Sequence, residues 1–124
     1  MLADYKRRFV KKLMQQLQSQ LISTQENELD TILNIKKQDL VEVCRFIYEE
    51  KNARLFTMVG NDERGINGVF ALYYVFAIDE IKHFITIKIF IDESDPTFPS
   101  MASHMPALNW YEREAVSYTH LRAH

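Results

Sequence analysis

Apolar residues recur at three- and four-residue steps over about the first 20 positions: Leu2, Tyr5, Phe9, Val10, Leu13, Met14, Leu17 and Leu21. That spacing predicts an amphipathic helix, its opposite face carrying Lys6, Arg7, Arg8, Lys11 and Lys12. Ser23 to Glu28 is polar and reads as a loop. Leu29, Thr31, Leu33 and Ile35 alternate with Asp30 and Asn34, the period of a half-buried strand. Leu40, Val43, Cys44, Ile47 and Tyr48 return to helical spacing, with Asp39 and Asn52 where caps belong. Arg54 to Val59 is a second strand. Val69 to Ile78 is an unbroken run of apolar and aromatic strand formers, which predicts a central strand covered on both faces. His83 to Ile91 alternates again, with Ile85, Ile87, Ile89 and Ile91 on one face and an expected exposed His83 at its start. The short Asp79–Lys82 turn suits an antiparallel hairpin.

Two stretches lack periodicity. Gly60 to Gly68 holds all three glycines and reads as a connection needing special backbone geometry. Asp92 to Met105 carries Pro96 and Pro99 and reads as a long surface loop of the kind that often carries contacts. A third helix is expected from Pro106, a residue tolerated in a first turn, with Glu112 and Glu114 as acids near its N-terminus. The order α-β-α-β-β-β-α predicts an α+β fold: a two-layer domain with a mixed four-stranded sheet and helices.

Composition narrows the function classes. A chain of 124 residues suits one domain. A net charge of −2 provides no global field for nucleic acid or acidic lipid. The aromatic residues of the N-terminal helix, Tyr5 and Phe9, fall on its apolar stripe and do not interleave the charges of its basic face, which reads as a solvated face. A targeting peptide fits less well, because Asp4 interrupts the basic run and no small-residue cleavage site follows. One cysteine cannot form an internal disulfide, and Cys44 on an apolar helix face is expected to be buried and inert. No run of about 18 apolar residues is present to span a bilayer.

Candidate chemistry is sparse. Gly60 and Gly65 have the spacing of a phosphate-binding loop, but no Gly-Lys-Ser/Thr follows. A dinucleotide turn would lead into a helix, whereas this loop leads into a strand. There is no Cys-x-x-Cys for zinc or an iron–sulfur cluster, and the histidines sharing a helical step, His120 and His124, sit at the chain end. No catalytic, cofactor-binding or metal residue is therefore assigned. Asp79–Glu80 and Asp92–Glu93 are paired acids at strand ends, the material for acid–base work only if burial separates their pKa values. They and the glycine-bearing loop support a rival reading as a stand-alone enzyme; the basic helix supports another as a nucleic-acid binder. Trp110 and Arg113 are types enriched at interface hot spots, and adjacent helix residues point about 100° apart, so within Glu112-Arg113-Glu114 one faces the domain and another a partner.

The segment Trp110-Tyr111-Glu112-Arg113-Glu114, after Pro99-Ser100 and Pro106-Ala107, is similar to the signature of the 30-kDa subunit family of respiratory complex I. That family also supplies the N-terminal domain of the large subunit of membrane-bound, formate-hydrogenlyase-type nickel–iron hydrogenases. Gly60-Asn61-Asp62-Glu63-Arg64, then Asn67-Gly68 and Tyr73-Tyr74-Val75, resembles the hydrogenase branch more than the complex I branch, the C subunit of NADH:quinone oxidoreductase. The resemblance covers about Leu29 to Ala115 and implies a non-catalytic scaffold with no cofactor of its own. The nickel–iron centre and iron–sulfur clusters would belong to partner subunits or to a missing downstream domain. It implies docking through Trp110, Tyr111, Glu112, Arg113, Glu114, Pro99, Asp62 and Arg64 to iron–sulfur and catalytic subunits. It implies a cytoplasmic position, peripheral on the inner face of the membrane. Residues 1–115 would form the family domain. Val116 to His124 departs from the family and resembles a tail translated from sequencing adapter, which implies a different natural continuation and an end that frays.

Overall fold

The computed structural model describes residues 1–124, the side chain of Tyr118 excepted. Helix α1 (Leu2–Gln16) turns Val10 and Leu13 inward, and Leu17 extends that stripe into a short 3-10 turn at Gln18–Gln20. Strands β1 (Leu21–Glu26), β2 (Asp30–Ile35), β3 (Arg54–Glu63), β4 (Val69–Ile78) and β5 (His83–Asp92) form one sheet in the order β1-β2-β5-β4-β3. The β2–β5 pair is parallel and the other pairs are antiparallel. Between β2 and β3 the chain forms α2 (Leu40–Arg45), which widens into a π-helical turn at Phe46–Glu50.

The α+β class and the mixed sheet agree with the sequence pattern; the strand count does not. The polar segment expected to be a loop is β1, which makes five strands. Beyond Leu21 its residues are all exposed, so no apolar alternation marked it; pairing with β2 alone holds it extended. Strand β3 also runs through Gly60 as far as Glu63, so the true turn is confined to the residues before Val69, where Gly68 adopts φ +75°. Asp39 makes no side-chain cap to α2. Asn52, at φ +53°, takes the left-handed conformation that ends helices.

The core lies between one sheet face and the helices. Leu33, Leu72, Tyr74, Phe76, Ile85, Ile87 and Ile89 meet Leu13, Leu40, Val43, Cys44 and Ile47, all fully buried. The expectation that β4 is covered on both faces fails. On its second face Tyr73 and Val75 are half-buried beside Phe84, Lys88 and Phe90 of β5. These side chains cover one another instead of a second layer. The Lys88 ammonium lies 5.4 Å from the Tyr73 ring and 4.6 Å from the Phe90 ring, and Phe56 lies 5.1 Å from Phe84. His83, expected to be exposed, is buried, because β2 and α1 close over the start of β5; its Nε2 is 2.9 Å from Thr31 Oγ1.

The C-terminal segment packs back on this frame. Strand β6 (Thr97–Phe98), helix α3 (Leu108–Thr119) and strand β7 (Arg122–Ala123) follow β5, with β6 and β7 parallel. The expected surface loop is thus partly interior: Phe98 and Met101 are fully buried and Met105 nearly so. Helix α3 begins at Leu108, so Pro106 precedes it and Glu112 and Glu114 lie beyond its first turn. The end expected to fray is docked. Leu121 is fully buried, Arg122 N–H donates to Pro96 O (2.8 Å), and Ser100 N–H donates to His124 O (2.7 Å).

Candidate docking surface

Helix α3 has one inward stripe, Leu108, Glu112, Ala115 and Thr119, at steps of four, three and four residues. The helix approaches β3 where side chains are smallest. A Cβ on Gly60 would stand 3.2 Å from Leu72 Cδ2 and close to Thr119 and Ala115. Gly60 therefore serves close approach rather than backbone freedom.

The acid in this stripe is held from both sides. Ser100 Oγ donates to one Glu112 oxygen at 2.7 Å, and Met101 N–H donates to the other at 2.7 Å. The pair joins α3 to the segment after β6 and sets the rotation of the helix. That rotation turns Trp110, Arg113 and Glu114 outward. Trp110 is 57% exposed for so large a ring and meets half-buried Tyr111 edge-on, centroids 5.2 Å apart. Thus Glu112 faces the fold while Arg113 and Glu114 face away.

The expected docking residues are scattered, and Glu112 among them is buried. Trp110, Tyr111 and Glu114 share a groove of about 380 Å³ with Thr57–Gly60 of β3. Arg113 lies on the other side of α3, lining a hollow of about 320 Å³ with Ser100, Asn109 and Ala123. Half-buried Pro99 lies between β6 and Ser100. Asp62 and Arg64 sit at the β3–β4 hairpin, paired at 2.8 Å, and Arg64 also reaches Glu93 at 3.1 Å and lies over the Phe70 ring at 4.6 Å. The Arg64 hydrogen bonds hold the Asp62 carboxyl below its usual range.

Glu63, the acid between Asp62 and Arg64, carried no expectation from the sequence. It is buried, and its carboxylate accepts from Tyr73 Oη (2.6 Å), Asn67 Nδ2 (2.8 Å) and Asn61 Nδ2 (3.0 Å). The Tyr73 bond is the main cause of its lowered pKa. Burial and this acid push the Tyr73 hydroxyl up to about 12. The block that resembled the hydrogenase branch is thus a hairpin latch. The spacing Asn61-x-Glu63 and Asn67 was a visible signal of it. Nothing in the sequence announced the Ser100–Glu112 contact, which rests on how a loop folds over a helix.

The rival chemistries find little support in the geometry. Asp79–Glu80 and Asp92–Glu93 lie at opposite ends of the sheet, separated by the length of β5, about 30 Å. Asp79 is paired with Arg54 at 3.0 Å and Glu80 accepts from Tyr5 Oη. Arg8, Lys12 and Lys51 share a hollow with Glu50 and Glu80, which offsets their charge. Among the described residues no three His, Cys, Asp or Glu side chains converge as metal ligands. Cys44 is fully buried, and desolvation pushes its thiol far up.

Comparison with known proteins adds to this geometry. Residues 33–120 match the family described as respiratory-chain NADH dehydrogenase, 30 Kd subunit. The chain is 37% identical over 83 residues to formate hydrogenlyase subunit 5 of Escherichia coli (strain K12), covering 66% of this chain and 15% of that protein. It is 34% identical to hydrogenase-4 component G of the same organism, with the same coverage. The alignment thus spans about 15% of the length of each of these two relatives. With the NADH-quinone oxidoreductase C subunit of Geotalea uraniireducens (strain Rf4) it is 28% identical over 114 residues, 87% of this chain and 66% of that one. The fold matches a trypsin-resistant fragment of Nqo5 with a TM-score of 0.76, covering 99% of this chain and 96% of the fragment at 16% identity. It also matches a chain of the membrane-bound sulfane sulfur reductase, an archaeal respiratory membrane complex, with a TM-score of 0.81, covering 96% and 70% at 16% identity. At such identity the likeness is one of fold.

Proposed function

We propose a docking role from a plain premise: the chain belongs to the respiratory-chain NADH dehydrogenase 30-kDa subunit family. In this reading it is a non-catalytic scaffold of a membrane-associated nickel–iron hydrogenase of the formate hydrogenlyase type. Its surface holds iron–sulfur and catalytic subunits together, and those partners, or a domain of the same polypeptide, supply the nickel–iron centre and clusters. The complex would sit on the cytoplasmic face of the membrane, this chain being peripheral; among the described residues no helix is long and apolar enough to cross a membrane.

The observation that carries the reading is the buried Glu112. It anchors α3 through Ser100 and Met101, so that Trp110, Arg113 and Glu114 are presented outward on a rigid element. Presenting a large exposed ring and a guanidinium in fixed positions suits recognition of a protein partner. The higher identity to the two hydrogenase relatives supports the hydrogenase branch. A second reading, the C subunit of an NADH:quinone oxidoreductase, is supported by alignments that reach further along the chain.

Affinity purification of the tagged chain from detergent-solubilised membranes tests both. Co-purifying dihydrogen-dependent dye reduction is the expected result, whereas co-purifying NADH–quinone reduction selects the second reading. Arg113→Ala should weaken the association by about 2 kcal/mol. Recovery of the chain with neither activity overturns the docking role.

A further inference from the structure

The two edges of the sheet are unlike. Strand β1 is guarded: it is polar, exposed, irregular between Leu21 and Ser23, and ends in Glu26. Such features discourage pairing with a further strand. Strand β3, the opposite edge, has an irregularity of its own between Leu55 and Thr57 and charges at its ends, Arg54, Asp62 and Glu63, but its stretch Thr57–Asn61 is unguarded. From Leu55 to Asn61 it has no charge and no proline, and its pairing with β4 is regular from Thr57 onward. Among the described residues no backbone hydrogen bond joins Leu55–Asn61 to anything but β4. Alternate N–H and C=O groups therefore point outward, unpaired. Large apolar side chains flank this line, with Phe56 50% and Val59 49% exposed on one side and Trp110 57% exposed on the other.

Resting on the docking role proposed above, we infer that β3 accepts an extended strand from a partner subunit, which adds to the sheet edge at Thr57–Asn61 and carries a basic residue to Glu114. Backbone hydrogen bonds would supply the pairing, and alternate side chains of the incoming strand would meet Val59 on one face and Trp110 on the other. The charge follows from the groove. Glu114 lines it, is exposed, and has no cationic partner among the described ion pairs. The same charge argues against a second copy of this chain, since pairing across the same edge would set one Glu114 against the other. Val59 and Trp110 fix the depth: the strand lies along the edge, not on the open sheet face around Lys88.

Amide hydrogen exchange of the full chain, alone and with the purified iron–sulfur and catalytic subunits, tests the inference. Outward amides of Thr57–Asn61 should exchange quickly in the isolated chain and slow about tenfold or more in the complex. Val59→Lys places a guarding charge on an exposed position; it should leave the melting temperature unchanged and weaken association about tenfold or more. Glu114→Lys should weaken it as well. If the partners bind but protect other segments, and Val59→Lys binds as tightly as the parent, the inference is wrong while the docking role stands. Protection of these amides by self-association, without partners, also overturns it. If the partners do not bind the parent chain at all, the docking role fails and this inference falls with it.

Discussion

Glu63 and Glu112 are the two carboxylates buried among the described residues, and the fold satisfies them differently. Glu63 is met by three neutral side chains, Asn61, Asn67 and Tyr73, all within the β3–β4 hairpin. Glu112 is met by one hydroxyl and one backbone N–H from the segment after β6, 11 and 12 residues earlier in the chain. The first contact closes a local turn. The second welds a loop to a helix and thereby orients the surface that carries Trp110 and Arg113. A buried acid is tolerated when its acceptors are filled, and what fills them decides whether it shapes a hairpin or an interface.

Removing these acids ranks the two contacts. Glu112→Ala should have the larger effect, about 3 kcal/mol, because it leaves the Met101 N–H buried without a partner. It should also weaken partner binding through misorientation of α3. Chemical denaturation of the variant checks the first point, and titration against the partner subunits checks the second. Ser100→Ala combined with Glu112→Ala should cost less than the sum of the two, since both act on one contact. Full additivity would mean that the hydroxyl and the acid act separately.

Glu63→Gln should cost about 2 kcal/mol, through loss of the charge that strengthens three hydrogen bonds. It should leave partner binding nearly unchanged. Because the folded pKa of Glu63 is depressed, chiefly by Tyr73, its contribution is present above the unfolded value of about 4.3 and is lost as pH falls through the depressed one. Denaturation at a series of acid pH values should therefore show a shallower decline in Glu63→Gln than in the parent.

His83 and Tyr74 extend the comparison to groups that are partly met and unmet. His83 Nε2 contacts Thr31, whereas Nδ1 is buried without a partner. Burial, with Lys6 nearby, lowers the pKa of His83. Above about pH 6.5 both folded and unfolded forms are neutral and its contribution is complete. As pH falls below that, the unfolded chain takes up a proton that the folded chain resists, so stability should decline by at most about 1.4 kcal/mol per pH unit. His83→Gln should flatten that part of the profile. A profile identical to the parent's would mean that the ring is not shielded.

The smallest expected effect belongs to Tyr74, whose hydroxyl is buried without a partner. Tyr74→Phe removes an unsatisfied group and keeps the ring. It should be neutral or stabilising by up to about 1 kcal/mol, visible as an unchanged or raised melting temperature. A clear loss of stability would reveal a hydrogen bond that the described side chains do not show.

How much of this was legible depended on the range of the contact. The isoleucine alternation of β5 announced a buried face because side chains in a strand point to opposite sides in turn. The apolar run of β4 was read correctly as a strand and wrongly as covered on both faces. Tyr73, Val75, Phe84 and Phe90 look the same in sequence whether a second layer covers them or they cover one another. β1 left no mark at all, since an edge strand held by its neighbour needs no apolar pattern. The burial of His83 likewise depends on α1 lying over the start of β5, a relation between residues far apart in the chain.

The amino-acid pattern by itself determined the α+β class, the strands of the central hairpin, the buried face of α2 with Cys44, and the motifs that mark the family. These rest on periodicity and local residue chemistry, which a linear sequence carries in full. Only the tertiary structure decided that Glu63 and Glu112 turn inward while Asp62, Arg64, Arg113 and Glu114 turn out. It alone decided that one sheet edge is guarded along its length and the other left unguarded at Thr57–Asn61, and that the chain end is docked. The reason is physical: burial and hydrogen-bond satisfaction are properties of what surrounds a side chain, and those surroundings come from segments brought together by folding.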